Sequence, residues 1–156
     1  MKDLFNFLKQ LQAKSPRKTI HRYFSLEEAV EALPWVQSHL AKAIEELDDL
    51  HDNLMLSKRL YALQYAERMD QQAELEKLMN NKMHTFETAL ENWVKRFDDK
   101  GFFLRDVEAG VIEFPYKAKD GETLFLCWQN PEDGILYFRE PDEPFSFRKP
   151  ITLLPA

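Results

Sequence analysis

Cysteine is nearly absent: Cys127, in the stretch LFLCWQ, is the only one in 156 residues. A lone cysteine excludes an internal disulfide, which fits a reducing, cytoplasmic setting. Glycine is also scarce, and from Trp35 to Lys100 there is neither glycine nor proline. Without those breakers, a stretch of that length reads as helix. No apolar run reaches the roughly 18–20 residues that cross a bilayer, and no short apolar segment leads to a small-residue cleavage site, so neither a span nor a secretory signal is expected. Positive charge is in deficit, with 21 Lys and Arg against 27 Asp and Glu, a net −6. That balance argues against a nucleic-acid binder, because phosphate recognition with counterion release needs a basic surface. P-loop, dinucleotide, zinc-knuckle and catalytic-serine patterns are missing too.

What is present describes a globular chain. Hydrophobic residues make up 44% and charged residues 31%, and the length suits one domain with a real core. The charge is uneven. Residues 1–22 carry six Lys or Arg against Asp3 alone, a net +5 that leaves −11 on the rest. Within this basic extension Leu4, Phe5, Leu8 and Leu11 share a helical face before Ser15-Pro16 breaks it. The expectation is a short amphipathic helix covering apolar surface on its own acidic domain. Contact with a membrane surface through the same segment is the weaker alternative.

The domain proper is read as residues 23–156: a helical hairpin over 23–100, a sheet over 101–140 and an irregular tail over 141–156. Ser25-Leu-Glu-Glu28 has the spacing of a capping box. Leu26, Val30, Leu33, Leu40, Ile44, Leu47, Leu54, Tyr61 and Tyr65 form one apolar series, and Leu75, Met79, Met83, Phe86, Leu90, Trp93 and Phe97 a second. Their three- and four-residue steps are those of helices packed lengthwise, as in a coiled-coil seam. One unbroken helix would run about 100 Å at 1.5 Å per residue, so the chain is expected to fold back at residues 69–72 or at Asn80-Asn81. His51 lies on the seam and reads as a packed histidine rather than a metal ligand.

After Gly101 the period changes to two. Four antiparallel strands are expected at 102–107, 111–116, 123–128 and 135–139, joined by Gly-containing turns as a meander. The fold class is therefore α+β. In the third strand Leu124, Leu126 and Trp128 oppose Phe125 and Cys127. A half-solvated strand should alternate with polar residues, so both sheet faces are expected to be covered, one by the hairpin. The other cover is the tail, the N-terminal helix or a second subunit.

Four blocks now make a pattern: YFSLEEAVEALPWV at 23–36, FFLRDVEAGVIEFP at 102–115, LFLCW at 124–128 and YFREPDEPFSFRKP at 137–150. In this order they resemble an uncharacterised bacterial family, domain of unknown function 2203. The resemblance supports the architecture and implies no activity. Carried over by position, it singles out Arg105, Asp106, Glu113, Glu140, Asp142 and Arg148. The chain departs from the family pattern where a histidine is expected and Arg139 stands, and where two glycines are expected and Pro144 and Phe147 stand. A proton-transfer or metal role for that histidine does not transfer.

Cys127 itself reads as a buried strand residue, since a nucleophilic thiol needs cationic or helix N-terminal surroundings and solvent. The six polar candidates can form a site that takes a ligand or cation, or a clasp in which Arg148 and Asp142 pin the tail to the sheet. No metal or cofactor is assigned. The leading expectation is a cytoplasmic interaction or scaffold module, homodimeric or bound to a protein partner. The rival is a small enzyme or ligand-binding protein using the carboxylate–arginine set, and an enzymatic role stays open.

Overall fold

A reciprocal cap starts the helical part. The Glu28 amide donates to Ser25 Oγ at 3.1 Å, and Glu28 Oε1 accepts from the Ser25 amide at 3.0 Å. These bonds satisfy two of the amide donors that a helix start leaves open. From this cap α1 runs from Leu26 to Tyr65, continuing through Pro34. The computed structural model describes residues 19–65 and 72–156. The expected N-terminal amphipathic helix, residues 69–71 of the turn candidate at 69–72 and the side chain of Tyr65 lie outside the described residues.

The second helix, α2, spans Gln72–Lys100. It contains Asn80 and Asn81, so the alternative turn there is wrong: two asparagines cost a helix only a few tenths of a kcal/mol each relative to better formers, which the packed seam outweighs. The two helices run antiparallel. Trp93 Nε1 donates to Glu46 at 2.8 Å, Lys82 bonds Asn53, and Tyr61 donates to Glu76 at 3.4 Å, so partner numbers fall along α2 as they rise along α1. His51 is buried on this seam, its ring edge-on to Phe86.

The sheet that follows is antiparallel in the order β1-β2-β3-β4-β5. Its strands are β1 Phe103–Asp106, β2 Val111–Lys117, β3 Thr123–Gln129, β4 Tyr137–Arg139 and β5 Lys149–Pro150. The fifth was not expected. It is two residues long and includes Pro150, which an edge strand tolerates because the missing amide takes nothing from an interior ladder. β4 is shorter than expected: Ile135 and Leu136 precede it, and the Leu136 carbonyl accepts instead from the Ile151 amide at 2.9 Å.

One face of the sheet packs on the base of the hairpin. Leu104, Ile112, Phe114, Leu124, Leu126, Trp128 and Phe138 join Leu33, Val36, Leu40, Leu47, Phe86, Trp93 and Phe97 in one buried cluster. Aromatic contacts organise it, with Phe102 tilted against Phe114 at 5.1 Å and Trp35 edge-on to Phe97 at 5.2 Å. The far half of the hairpin carries exposed Leu56, Leu60, Leu63 and Leu78. Past β5 the chain lies on the hairpin side, where Ile151 and Leu154 pack on the cluster and Tyr116 donates to the Pro155 carbonyl at 2.8 Å. No helix among the described residues is long and apolar enough to cross a membrane.

Candidate functional site

The second face of the sheet is built around a buried carboxylate. Glu113 opposes Phe103 on one side and Cys127 on the other, and at 1% exposure it is as buried as the core leucines. Such a charge survives burial only when paired and fully hydrogen-bonded. Oε1 accepts from Arg105 Nε at 2.6 Å and from Arg139 Nη2 at 2.8 Å. Oε2 accepts from Arg139 Nε at 2.5 Å and from the Cys127 thiol at 3.3 Å. Two acceptances per oxygen use the carboxylate's lone pairs, so Glu113 has nothing left for a metal or a substrate proton. Among the described residues no group of three or more His, Cys, Asp or Glu is placed to hold a metal ion.

The titration of this cluster follows from its geometry. Burial alone raises the Glu113 pKa, but the hydrogen bond and charge of Arg139, joined by Arg105, outweigh it and hold the carboxyl below the usual carboxylate range. Burial, then the Glu113 charge and hydrogen bond, push the Cys127 thiol far up. The thiol therefore stays protonated and serves as a donor, the opposite of a nucleophile's situation.

Arg139 faces two ways. Besides its two bonds to Glu113 it donates through Nη1 to the carbonyls of Glu140, Pro141 and Glu143 at 3.1, 3.2 and 3.0 Å. One guanidinium thus ties the turn after β4 to the middle of the sheet. Its carbon sits 5.1 Å from the centroid of Phe125, while that of Arg105 sits 4.7 Å from Phe103 and 5.2 Å from Phe125. The arginines so cover aromatic rings that would otherwise face water.

Beside this cluster opens a cleft of about 440 Å³, lined by β1 and β2 residues, Gln129, Arg139 and the Glu143-Pro144-Phe145 turn. An irregularity in β1 shapes its floor. Leu104 pairs with Ile112 and Asp106 with Val111, so Arg105 is an extra residue with no partner of its own. Strict alternation would send Arg105 and Asp106 to opposite faces; the bulge brings both to the cleft. Asp106 then closes the β1–β2 turn by accepting the Ala109 amide at 3.0 Å. The turn ends on Gly110, whose φ is +67° and where a Cβ would lie 2.7 Å from Asn130. Arg105 spends only Nε on Glu113. Among the described residues no group accepts from its two terminal amino groups, and the side chain is 34% exposed.

The six candidates therefore separate. Arg105, Asp106 and Glu113 come together at the cleft. Glu140 pairs with Lys149 at 3.1 Å, away from it. Asp142 is exposed. Arg148 does hold the tail, but through Glu132 at 3.0 Å and not through Asp142. It stacks on Tyr137 and Phe145 at 4.3 and 4.4 Å, and Glu132 also accepts the Gln129 amide at 2.6 Å. The sequence sets Arg139 among the arginines near these carboxylates but assigns it no partner. Strand parity was the available signal: Phe125, Cys127, Tyr137 and Arg139 share the face of Glu113, and a buried carboxylate there needs a cation on that face.

The sequence pattern of one family, described as an uncharacterized conserved protein, DUF2203, matches residues 22–151. The chain belongs to that family. The matched part of this DUF2203 protein contains both helices, the whole sheet and every residue of the cleft. No curated protein and no solved structure matches the chain.

Proposed function

We propose that this protein binds a small organic acid in the cleft beside Glu113, with Arg105 as the anchor. One observation carries the reading: a guanidinium held in place by a buried carboxylate and two aromatic rings, its terminal pair of N–H donors unused among the described residues, lining a cleft of about 440 Å³. Parallel donors at that edge match a carboxylate or phosphate in a bidentate way. Small-molecule sites are concave and mostly apolar with a few fixed polar groups; here Ala109, Val111, Pro144 and Phe145 supply the apolar walls. Thermal shift with a panel of mono- and dicarboxylates and phosphorylated metabolites tests it. At least one acid raises the melting temperature of the native chain, and Arg105→Gln abolishes the shift. A panel without effect, or shifts that survive the substitution, overturns the reading. Arg139 still pairs with Glu113 in that variant, so the sheet keeps its buried ion pair.

A second reading keeps the interaction role, for one observation: Leu56, Leu60 and Leu63 recur at four- and three-residue steps and are 58, 49 and 73% exposed. The covered second face of the sheet no longer supports that role; the hairpin does. A second copy on this stripe makes a dimer that Leu60→Glu dissociates, and a monomer by sedimentation at micromolar concentration excludes it.

A further inference from the structure

The β1 bulge does more than expose an arginine. It sets a cation and an anion side by side on consecutive residues of one strand, Arg105 and Asp106, both at the floor of the same cleft. Among the described residues, the charges lining this cleft are two guanidiniums against three carboxylates. Glu113 is consumed by both guanidiniums. Glu143 keeps only a 3.9 Å contact from Oε1 to Lys149, and its buried Oε2 has no hydrogen-bond partner among the described residues. Of the two carboxylates left, Asp106 is the one adjacent to Arg105 in the chain. Its Oδ1 holds the Ala109 amide, an interaction that leaves the carboxylate its charge. A dianion placed on Arg105 would meet this carboxylate next door, at a cost that a ligand with its own cationic group avoids.

We infer that the ligand is zwitterionic: an α-amino acid, or a molecule of similar size bearing a carboxylate and a neighbouring ammonium group. Its carboxylate takes the free edge of Arg105 and its ammonium group takes Asp106. The side chain lies toward Val111, Pro144 and Phe145, which carry no charge. This rests on the acid-binding reading above and adds to it the requirement for an amine.

The test uses the full chain. The proteinogenic L-amino acids are screened by thermal shift at millimolar concentration. The best of them is then compared by calorimetry with its deaminated acid and its decarboxylated amine. The amino acid binds, and losing either charged group weakens binding at least about tenfold, the scale of one charge-assisted bond. Asp106→Asn weakens the amino acid by a similar factor and does not weaken the deaminated acid, while Arg105→Gln weakens both. Asparagine keeps an oxygen for the Ala109 amide. Asp106→Ser, which also offers an acceptor, is the second variant should the turn be disturbed. If no amino acid binds, or if the deaminated acid binds as tightly as its parent, the zwitterion is wrong and simple acid binding at Arg105 stands or falls on its own screen. If Asp106→Asn and Asp106→Ser both leave amino-acid affinity unchanged, Asp106 is not the ammonium subsite and the inference fails.

Discussion

The two faces of this sheet are buried by different means. Toward the hairpin, Leu104, Ile112, Phe114, Leu126, Trp128 and Phe138 are removed from water by other apolar side chains. On the opposite face, Glu113 and Cys127 are just as inaccessible, yet they sit under two arginines and the turn after β4. The first face supplies stability directly, at about 1.5–3 kcal/mol for each large apolar side chain buried. The second supplies little net energy, because desolvating the charges offsets most of their attraction. What it supplies is placement: Arg139 fixes residues 140–143, Arg105 is held beside an open cleft, and the bulge adds Asp106.

Substitutions can break this comparison, beginning with the largest effect. Phe114→Ala removes a fully buried ring from the apolar face and costs about 3–5 kcal/mol in urea unfolding, with no replacement elsewhere restoring it. Glu113→Gln strands Arg139, whose side chain is 12% exposed, and costs about 3 kcal/mol. Here a second substitution does help. Glu113→Leu combined with Arg139→Met returns stability to within about 1 kcal/mol of the parent, but frees the 140–143 turn, read as faster proteolysis after β4. A double variant that stays as unstable as the single one would mean that the ion pair is a net stabiliser.

The pH dependence separates the faces next. Because the folded-state pKa of Glu113 lies below its ordinary value of 4.5, the folded state releases this proton more readily than the unfolded chain. Its contribution is complete above about pH 4.5 and is lost as pH falls through the depressed folded value. The urea midpoint of the parent should therefore fall more steeply below pH 4.5 than that of Glu113→Gln, and parallel curves would remove Glu113 as the acid-sensitive group. The smallest effect belongs to Cys127. Its buried, protonated thiol should resist an aromatic disulfide reagent until the protein unfolds, and Cys127→Ala should leave ligand binding intact. Rapid labelling of the native chain would show that the face opens.

Local patterns made most of the fold legible. The capping box at Ser25 and Glu28, the glycine-free stretch and the two apolar series define the hairpin, and the change of period after Gly101 defines four strands. The apolar residues on both sides of β3 correctly required two covers. The fifth strand was hidden because its pairing depends on where a proline-rich tail returns. The site was only half visible. Glu113, Arg105 and Asp106 stand out in the sequence, as do Arg148 and Asp142 as a clasp on the tail, but the partner that Arg148 takes, Glu132, lies in a preceding loop. The bulge left no local mark either: nothing in Leu104-Arg-Asp106 tells alternation from an extra residue, and that difference decides whether Asp106 meets the cleft.

The cleft beside Glu113, and not the hairpin, is the proposed seat of the ligand. Side-chain Nε–Hε resonances of Arg105 and Arg139, followed by nuclear magnetic resonance during titration with the best acid from the screen, address it directly. The account predicts a saturable shift of Arg105 and of backbone amides in the β1–β2 turn, with Leu56, Leu60 and Leu63 unmoved. Saturable shifts confined to those leucines, with Arg105 unchanged, would contradict it.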